Sequence, residues 1–376
     1  MPIFTVAIPF YNDQNYLSKA ITSCLHQEFQ ESFEILLIND GSSDASLKIA
    51  KNFRNCFPEK IRLINLKENK GVGFVRQRAV EAAKGDYIVW ADADDVQCPQ
   101  RLKTIRRFFK ENPDVDICLH DCYFIDKEGR PIDKQLKWPK SFEENPLYFE
   151  IKRNYFFIGF SAQRAGLNIP FRSRCRDFPE DYDFILRALF KNKKLKLIPE
   201  KLSHYRIHGK NRSNRHSYTY RATKEILEGL NLSELSKMLQ NSSCLKEKEI
   251  SLAICELLMT KENFKEALEK LKNGNHNCFY SNFMQGVCYF FLGNNKDSAL
   301  YFDRAYSLDS TEPSVQNNLG VLKYKMGEVE SAVELLKNAL QNKPDYLDAQ
   351  RNLKVASNGR NSLSITKKPL RLSWVY

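Results

Sequence analysis

The sequence predicts an α/β domain, with a mostly parallel sheet flanked by helices, followed by an all-α domain of helical repeats. In the first half, short apolar runs alternate with helical patterns, and this alternation is typical of βαβ units. From about Tyr220 onward only helical patterns remain, and glycines recur 34 residues apart. A third observation concerns function: the carboxylates of Asp92, Asp94 and Asp95 directly follow one predicted strand.

Each element of the first half has its own sequence signal. The strands are short apolar runs that suit burial on both faces, and the helices carry apolar residues at helical spacing. The predicted order is strand Ile3–Phe10, helix Tyr16–Phe29, strand Phe33–Asn39, helix Ser43–Phe57, strand Ile61–Ile64, helix Val72–Lys84 and strand Tyr87–Trp90. Ligands of such sheets bind beyond the carboxyl ends of the strands. Tyr11, Asp40 and the acidic run lie at three of these ends, so we expect one site there.

The second half contains an internal repeat. The pairs that lie 34 residues apart are Gly286 and Gly320, Gly293 and Gly327, and Ala305 and Ala339. Tetratricopeptide repeats have this period, and small residues let their antiparallel helices pack closely. A weaker earlier copy is expected from about Ser251 to Asn273, with Glu266-Ala267-Leu268 aligned to Ser298-Ala299-Leu300. The second half therefore resembles tetratricopeptide repeats, and a plain helical bundle is the alternative.

Length and composition limit the class of protein. A chain of 376 residues accommodates two domains, and no apolar stretch approaches the ~20 residues that span a bilayer. The first residues have no basic region ahead of an apolar one, so they do not predict a secretory signal. Ten scattered cysteines without metal-ligand spacing suit reduced thiols. We therefore expect a cytoplasmic protein without a transmembrane segment.

The net charge of +12 indicates an anionic partner. A basic surface attracts nucleotides, nucleic acid or anionic lipid. The sequence shows no zinc-finger, helix-turn-helix or RNA-binding signature, so nucleic acid is not the expected partner. Peripheral contact with the inner face of a membrane is an expectation, and a solvated charged surface is its alternative.

The acidic run after Trp90 predicts a metal site. Like charges this close repel one another at the end of a buried strand, and a bound cation offsets that cost. Residues two apart point the same way as the chain leaves a strand, so Asp92 and Asp94 can reach one ligand. Hard divalent cations prefer carboxylate oxygens, which indicates Mn or Mg. A polar strand-end loop without a ligand is the alternative.

Roughly the first 215 residues contain six motif segments in order, which are Val6–Asn12, Asn39–Ser42, Asn69–Arg76, Asp92–Asp95, Glu180–Asp181 and Tyr205–His208. Taken together, they resemble the family-2 glycosyltransferases of the GT-A fold. The resemblance implies an inverting, metal-dependent enzyme that transfers a sugar from a nucleotide-diphosphate sugar, expected to be a UDP-sugar, to a hydroxyl acceptor. The implied acceptor is a glycan, a lipid-linked molecule or a protein, in the synthesis of cell-surface polysaccharide, glycolipid or glycoprotein.

The resemblance assigns five residues to the nucleotide sugar. The region of Pro9 and Tyr11 packs on the uracil, and Asp40 accepts an N–H of the base. Arg76 holds the nucleotide-facing loop, and Asp92 holds the ribose. Three alternatives stay open: Tyr11 as a packed surface residue, Asp40 as cap of the second helix, and Arg76 as a structural salt bridge. The family usually has Ala-Arg-Asn around that arginine, where this chain has Val-Arg-Gln.

The resemblance also assigns the metal and the catalytic base. Asp94 holds the metal, and His208 contacts the metal or the diphosphate. Asp181, at the start of a predicted helix, is the implied general base that takes the proton of the acceptor hydroxyl. A single displacement without a covalent intermediate inverts the anomeric carbon. Asp183 is the alternative base, and a plain first-turn acid favoured by the helix dipole is the structural alternative.

Two further segments are expected to take part. The basic residues after His208, which are Lys210, Arg212 and Ser213 with its neighbours, suit a flap that closes over the nucleotide and excludes water. Acceptor contacts are expected from the aromatic-rich segment Asp126–Ser161, although aromatic residues also form cores.

The predicted domains are a GT-A domain at residues 1–220, a helical linker at 221–250, tetratricopeptide-like repeats at 251–355 and a basic C-terminal tail at 356–376. The repeats are a candidate site for a protein partner. The alternative function is therefore a repeat-based binding scaffold with an inactive glycosyltransferase-like domain. A nucleotidyltransferase would share the acids but lack a base beside a sugar acceptor.

Overall fold

The structure is a computed structural model that describes residues 1–172, 178–209, 211, 224–241, 245–274, 276–358 and 363–370. The chain divides into two compact units, of which the first is Met1–Ile226 and the second begins at Leu227. The flap residues Lys210, Arg212 and Ser213 lie outside the described residues.

A nine-stranded sheet organises the first unit. Its strands are β1 (Phe4–Phe10), β2 (Phe33–Asn39), β3 (Ile61–Asn65), β4 (Tyr87–Trp90), β5 (Val96–Gln97), β6 (Ile117–Ile125), β7 (Pro131–Ile132), β8 (Ser161–Arg164) and β9 (Leu195–Arg206). The helices described in this unit are α1 (Leu17–Leu25), α2 (Ser46–Cys56), α3 (Val72–Ala82), α4 (Arg101–Glu111), α5 (Pro146–Lys152) and α6 (Glu180–Phe190). The strand order is β3-β2-β1-β4-β8-β6-β9-β5, and β7 pairs with β6.

Four neighbouring strands form the parallel part of the sheet. β3, β2, β1 and β4 run in the same direction, as the strand–helix alternation predicts. Beyond β4 the sheet is mixed, because β8 is antiparallel to both β4 and β6. All of β2 is buried, which explains its unbroken apolar run. The carboxyl ends of β1, β2 and β4 therefore open at the same edge of the sheet.

The predicted bounds of these elements hold to within three residues, except at the end of the first helix. α1 ends at Leu25, whereas the apolar pattern predicted Phe29. Phe29 does join the core, but it does so from a loop. Its ring contacts the rings of Phe4 and Phe33, with centroids 5.2 and 6.1 Å away. The apolar pattern therefore predicted correctly that Phe29 is packed in the core, but it wrongly predicted that the segment after Leu25 is helical.

In its described residues, the second unit contains helices and no strands. Its helices are α7 (Leu232–Gln240), α8 (Glu247–Thr260), α9 (Phe264–Asn273), α10 (Phe279–Phe291), α11 (Asn295–Leu308), α12 (Pro313–Lys325), α13 (Val329–Asn342) and α14 (Leu347–Asn358). Consecutive helices pack as pairs, α8 with α9, α10 with α11 and α12 with α13. In neither unit does a helix of the described residues combine the length and apolarity needed to cross a membrane.

Two glycines explain the 34-residue period. A Cβ on Gly286 would lie 2.8 Å from the ring of Phe302, and a Cβ on Gly320 would lie 2.9 Å from Leu336. Both of these partner side chains are fully buried. Each glycine therefore lets the first helix of a pair touch the second. The predicted repeat is confirmed at these positions.

The earlier copy is the α8–α9 pair, and its predicted register is wrong by one residue. Ala267 and Ser298 are fully buried, whereas Glu266 is exposed. The turns agree with this correction, because Glu262 and Gly293 both adopt positive φ, at 59° and 81°. Each of these turn residues precedes its buried small residue by five positions. Ala267, and not Glu266, is thus the counterpart of Ser298.

Gly85, in the turn before β4, marks a close approach of two backbone segments. A Cβ there would lie 2.5 Å from the backbone N of Thr5. Because β1 is central in the sheet and cannot move aside, Gly85→Ala should lower the free energy of unfolding of the first unit by about 1–3 kcal/mol. Urea unfolding followed by tryptophan fluorescence measures this change.

Gly166→Ala is the matched control for this prediction. Beyond its chain neighbours, nothing that the structure describes lies within 4 Å of a Cβ at Gly166. Its substitution should change the free energy of unfolding by less than about 0.5 kcal/mol. Equal effects of the two substitutions would contradict the packing described at Gly85.

Candidate active site

The predicted site residues gather at the carboxyl edge of the parallel strands. The loops after β1, β2, β4 and β9 meet there with α3 and the first turn of α6. The residues concerned are Pro9, Tyr11, Asp40, Arg76, Asp92, Asp94, Asp181 and His208. Hydrogen bonds connect several of these segments to one another.

Pro9 and Tyr11 lie at the end of β1, and both are partly exposed. Pro9 is two residues past Ala7, the last residue that pairs β1 with β4, so its missing N–H costs no ladder hydrogen bond. The Tyr11 N–H donates to Asp13 Oδ2 at 2.9 Å. The backbone carbonyl of Asp13 also accepts the N–H of Leu17 at 2.9 Å, which fixes the start of α1. Asp13 was not predicted, although it follows the same strand end.

Asp40 binds the backbone that leads into α3. Its Oδ1 accepts the N–H of Lys70 at 2.7 Å, and its Oδ2 accepts the N–H of Gly71 at 3.0 Å. The side chain is buried. The alternative role as cap of α2 is wrong, because α2 begins at Ser46 and the Ser46 N–H donates to Asp44 Oδ1 instead. Asp40 therefore fixes the loop that leads into α3, the helix that carries Arg76.

Arg76 is a buried cation between two carboxylates. Its Nε donates to Glu180 Oε1 and its Nη2 to Asp92 Oδ1, both at 3.2 Å. The guanidinium also lies 5.3 Å from the ring centroid of Trp90. Breaking such a pair leaves a buried charge without a partner, which commonly costs about 3–5 kcal/mol. The contacts are those of the structural salt bridge that the sequence offered as an alternative, and they tie α6 to the end of β4.

Asp92 packs against the helical turn Ile158–Phe160. A Cβ on Gly159 would lie 2.3 Å from Asp92 Oδ2, so a larger residue at that position would displace the Asp92 carboxylate. Burial raises the pKa of Asp92, the charge of Arg76 opposes the rise, and the charge of Asp94 adds to it. The protein thus offsets the negative charge of this carboxylate only in part.

Asp94 pairs with His208 across the site. Its Oδ2 lies 3.0 Å from His208 Nε2. The ring of Tyr16 packs on the histidine with centroids 5.0 Å apart, and the guanidinium of Arg206 lies 4.8 Å from the Tyr16 centroid. Arg206 Nε donates to the backbone carbonyl of Asp94 at 2.8 Å. The two residues assigned to the metal therefore lie side by side, positioned by two residues that the sequence did not assign.

Asp95 is the most deeply buried acid of the run. Its Oδ1 accepts the N–H of Arg206 at 2.8 Å, whereas its Oδ2 has no hydrogen-bond partner among the described residues. Burial raises the pKa of Asp95 well above its usual range, and the charges of Asp94 and Asp92 raise it further. A buried polar atom without a partner is rare in proteins and calls for an explanation.

The acidic run fits a divalent cation that shares its coordination sphere with a ligand. Within the described residues, no three His, Cys, Asp or Glu side chains form a ready-made metal cage. Hard cations such as Mg²⁺ are commonly held by one or two carboxylates together with substrate phosphates. The partnerless oxygen of Asp95 and the partly exposed pair of Asp94 and His208 meet that requirement. Of the residues present, Asp94 and His208 would hold the cation.

The first turn of α6 separates the two candidate bases. Asp183 is buried, and Nε and Nη2 of Arg187 donate to its Oδ2 at 2.8 and 2.6 Å. Its Oδ1 lies 3.7 Å from Arg172. Asp181 is partly exposed, and its Oδ1 accepts the N–H of Tyr182 at 2.7 Å. The structure thus commits Asp183 to ion pairs with two arginines, whereas Asp181 remains partly exposed at the start of α6.

Glu150, on α5, is a further carboxyl near Asp181 that the sequence did not reveal. Its Oε2 accepts the N–H of Tyr155 at 3.0 Å, and its Oε1 has no partner among the described residues. Burial raises its pKa well above its usual range, and the charge of Asp181 adds to the rise. The hydroxyl of Tyr182 donates to the Glu150 carbonyl at 2.8 Å, which ties α5 to α6. Nothing in the sequence around Glu150, a single glutamate in an apolar helix, indicates that it is buried near Asp181.

Arg101 is a second residue that sequence reasoning missed. Its guanidinium is fully buried beneath the acidic run, and burial lowers its pKa to about 10. Nη2 donates to the carbonyls of Trp90 and Gly159 at 2.8 and 3.0 Å. Nε donates to His120 at 2.9 Å, and Nη1 donates to Gln97 at 2.6 Å. Arg101 therefore positions both the end of β4 and the turn that faces it, although an arginine that opens a helix is usually a surface residue.

Comparison with known proteins gives matches in both units. The sequence model of Glycosyl transferase family 2 matches residues 5–167, and a tetratricopeptide repeat model matches residues 313–346. An uncharacterized glycosyltransferase of Nostoc sp., alr2836, is 30% identical over 229 residues, which are 59% of this chain and 69% of that protein. The minor teichoic acid biosynthesis protein GgaA of Bacillus subtilis is 29% identical over 215 residues, which are 54% of this chain and 47% of GgaA. The chain spans less than two thirds of the length of several of these curated relatives.

A solved structure shows the same fold. The structure of residues 1–349 of TarS from S. aureus, in complex with UDP-GlcNAc, aligns with a TM-score of 0.51 at 16% identity. The alignment covers 96% of this chain and 93% of that one. The first unit therefore has the GT-A fold, and helical repeats follow it. The chain belongs to the family-2 glycosyltransferases.

Asp13 gives a prediction for the dependence of stability on pH. Burial raises its pKa to about 7 against the opposing Tyr11 N–H, and the charge of Asp94 adds to the rise. The folded protein thus binds this proton more tightly than the unfolded chain, and stability is lost as the pH rises from about 4 to about 7. Asp13→Asn keeps an oxygen for the Tyr11 N–H and removes that loss. In urea unfolding without divalent cations, the variant should gain up to about 4 kcal/mol over wild type at pH 8 and almost nothing at pH 4.

Asp44→Asn is the control with the opposite sign. Burial alone would raise the pKa of Asp44, but hydrogen bonds from the Ser46 hydroxyl and N–H and from the Gln14 N–H outweigh it and lower the pKa. Ionised Asp44 therefore stabilises the fold at every pH above the pKa of the unfolded chain, and this stabilisation is lost as the pH falls through the lowered pKa of the folded protein. Asp44→Asn removes the charge and should destabilise the protein at pH 8. Stabilisation by Asp44→Asn, or no gain from Asp13→Asn at pH 8, would contradict this electrostatic account.

Proposed function

We propose that the first unit is an inverting, metal-dependent glycosyltransferase that transfers a sugar from a UDP-sugar to a hydroxyl acceptor. The 3.0 Å pair of Asp94 and His208 at the acidic edge of the sheet is the observation that carries the proposal. Family membership supports the class of reaction. The site supplies residues suited to the nucleotide, to the diphosphate and to the proton of the acceptor.

The acidic run supports binding of the diphosphate through a metal. Arg76 and Arg206 contact this run, yet burial and mutual repulsion still raise the pKa values of two of its three carboxylates. A divalent cation, Mn or Mg, would neutralise the diphosphate and stabilise it as the leaving group. Asp94 and His208 are the proposed ligands. Arg76 acts as a positioning residue, because it holds Asp92 while its own guanidinium stays buried.

The ends of β1 and β2 suit the nucleotide. Pro9 and Tyr11 offer partly exposed surface on which a flat base can stack. Asp40 is fixed by two backbone amides beside them and is the proposed acceptor of an N–H of the base. Asp92 is the proposed contact to the ribose. The complex of TarS with UDP-GlcNAc supports a UDP-linked donor for the shared fold.

Asp181 is the proposed catalytic base. It lies at the start of α6, and its neighbour Glu180 is held by Arg76, which in turn holds Asp92. This chain of contacts fixes the base relative to the proposed donor site. Asp181 would accept the proton of the acceptor hydroxyl as that oxygen attacks the anomeric carbon. A single displacement, with the diphosphate leaving from the opposite face, gives inversion.

The segment Asp126–Ser161 supplies less acceptor surface than its composition suggests. Trp138, Phe142 and Tyr155 pack on one another, with centroids 5.2 to 6.3 Å apart, and so form a core. Phe157 is partly exposed beside the turn that faces Asp92, and we propose it as an acceptor contact. The relative GgaA belongs to teichoic acid biosynthesis, which supports a cell-surface polymer as the acceptor.

Asp94→Asn tests the proposed metal site. The substitution keeps the shape of the side chain and removes its charge, so Mn²⁺-dependent binding of UDP should weaken by about tenfold or more. Isothermal titration with UDP, with and without Mn²⁺, measures this. Asp86→Asn is the matched control, because Asp86 is exposed and precedes the opposite end of the same strand. Unchanged binding in Asp94→Asn would contradict the site.

Asp181→Asn tests the proposed base. Binding of UDP with Mn²⁺ should be unchanged, while turnover should fall about 10²- to 10⁴-fold. Release of UDP from a panel of UDP-sugars with polyol and glycan acceptors measures turnover. Glu234→Gln, which changes an acid in the first turn of α7, is the control and should keep full activity. Full activity of the Asp181→Asn variant would contradict the role of Asp181 as the base. Absence of UDP release by the wild type with every donor and acceptor tested would count against the proposed reaction.

A further inference from the structure

In the second unit, a stretch of the chain lies as an extended ligand across the helical repeats. Residues 364–370, here named the strap, follow α14 and contact α8, α9, α10, α12 and α14. Its contacts extend from Glu256 on α8, Phe264 on α9 and Phe291 on α10 to Asn318 on α12 and Asn352 on α14. The strap therefore spans all three helix pairs of the repeats.

Two asparagines bind the strap through its main chain. Asn318 donates to the carbonyl of Thr366 at 2.9 Å and accepts the Thr366 N–H at 2.8 Å. Asn352 binds Ser364 in the same way, at 2.8 and 3.1 Å. Alternate residues of an extended chain point their main-chain groups in the same direction, which explains the spacing of two. Main-chain contacts of this kind accept many side chains, so they define a site for an extended segment.

The asparagines are arranged for this purpose. Asn317, Asn318 and Asn352 are almost fully buried, and buried amides are costly unless they are hydrogen bonded. Asn352 donates to Asn317 at 2.8 Å, and Asn317 donates to Asn318 at 3.2 Å, so the three form a connected chain between α12 and α14. The remaining hydrogen-bonding groups of Asn318 and Asn352 bind the strap. A helix pair has no packing need for such a row.

The hydroxyl of Thr366 is recognised separately. It donates to Asp348 Oδ2 at 2.8 Å and forms a hydrogen bond with the hydroxyl of Tyr346. Asn317 Nδ2 also approaches it at 3.5 Å. Three polar groups on one hydroxyl give this position specificity, because an apolar residue there would leave buried polar groups without a partner. A serine would satisfy them as well.

Charge and apolar contacts define the neighbouring positions. Lys367 lies 4.7 Å from the Phe291 ring centroid and 3.5 Å from Glu262, and Lys368 lies 3.0 Å from Glu256. Ile365 is buried just before the hydroxyl position, and the Leu370 N–H donates to Glu312 at 2.8 Å. The site thus prefers an apolar residue, a hydroxyl residue and two lysines in succession.

The strap is bound by contacts that are individually weak. Ile365, at 8% exposed, is the one buried residue among the described residues of the strap, and the side chains of Lys367 and Lys368 remain 35% and 44% exposed. Exposed ion pairs contribute little to binding, because solvent screens the charges and the long side chains lose freedom. A short tether raises the local concentration of such a segment to the millimolar range, which keeps it bound without high intrinsic affinity. A partner segment of the same chemistry can therefore compete.

We propose that the groove formed by Asn318, Asn352, Tyr346 and Asp348 is a peptide-binding site, and that the strap is its resident, exchangeable occupant. The partner that fits is a polypeptide with an extended segment of the pattern apolar–hydroxyl–Lys–Lys. The strap competes with that partner and so limits its access to the repeats.

Thr366→Pro in the full chain tests the proposal, because it removes both the N–H that Asn318 binds and the hydroxyl. The probe is a fluorescent peptide with the sequence of residues 363–370, followed by anisotropy. We expect the peptide to bind the Thr366→Pro chain at least tenfold more tightly than wild type. Adding Asn318→Ala should reverse this gain at least tenfold, whereas adding Asn338→Ala, on α13, should not.

Two controls and a folding measurement distinguish an exchangeable strap from a fixed structural element. Thr366→Ser retains the hydroxyl and should behave as wild type, and a peptide with proline at the threonine position should not bind. Circular dichroism reports whether the repeats stay folded in Thr366→Pro. Loss of helix there would show that the strap is a fixed structural element and overturn the proposal. Absence of peptide binding by the folded variant, or equal binding after Asn318→Ala, would overturn it too.

Discussion

The first unit depends on negative charge that the fold concentrates and offsets only in part. Three carboxylates leave β4 together, Asp13 approaches them from the end of β1, and burial raises the pKa values of several of these groups. A sheet edge built only for stability would not collect these charges, because their repulsion and desolvation both oppose folding. Binding of the proposed cation, together with an anion that the cation carries, would offset these costs at the same edge.

Buried arginines make this arrangement possible. Arg76 crosses from α3 to Asp92 and Glu180, Arg206 holds the backbone around Asp94 and Asp95, and Arg101 holds the end of β4 from below. Each guanidinium fixes several groups in one geometry because its donors form a rigid fork. The carboxylates are therefore held in place before a ligand arrives, and Asp94 and His208 remain at the accessible rim.

Local patterns in the sequence were enough to predict the parallel strands and the repeats. Strand–helix alternation indicated β1 to β4 and the edge at which the site lies, and the 34-residue spacing of Gly286 and Gly320 indicated the helix pairs. Contacts between distant segments could not be predicted in this way. Arg101 and Glu150 lie beneath the candidate site and beside Asp181 only in the folded chain, so the sequence around them gave no indication of these positions. The asparagines that bind the strap likewise have no spacing in the sequence that predicts a binding site. The mixed half of the sheet, from β5 onward, was not predicted for the same reason, because strand pairing between distant segments, whether antiparallel or parallel, has no local signature.

The most direct measurement is the anomalous diffraction of manganese in crystals soaked with Mn²⁺ and UDP. We expect one strong peak within coordination distance of the Asp94 carboxylate and His208 Nε2, with the diphosphate on the same ion and the uracil beside Tyr11 and Asp40. A manganese ion bound away from the end of β4, or UDP bound at this edge without any metal, would contradict the central claim.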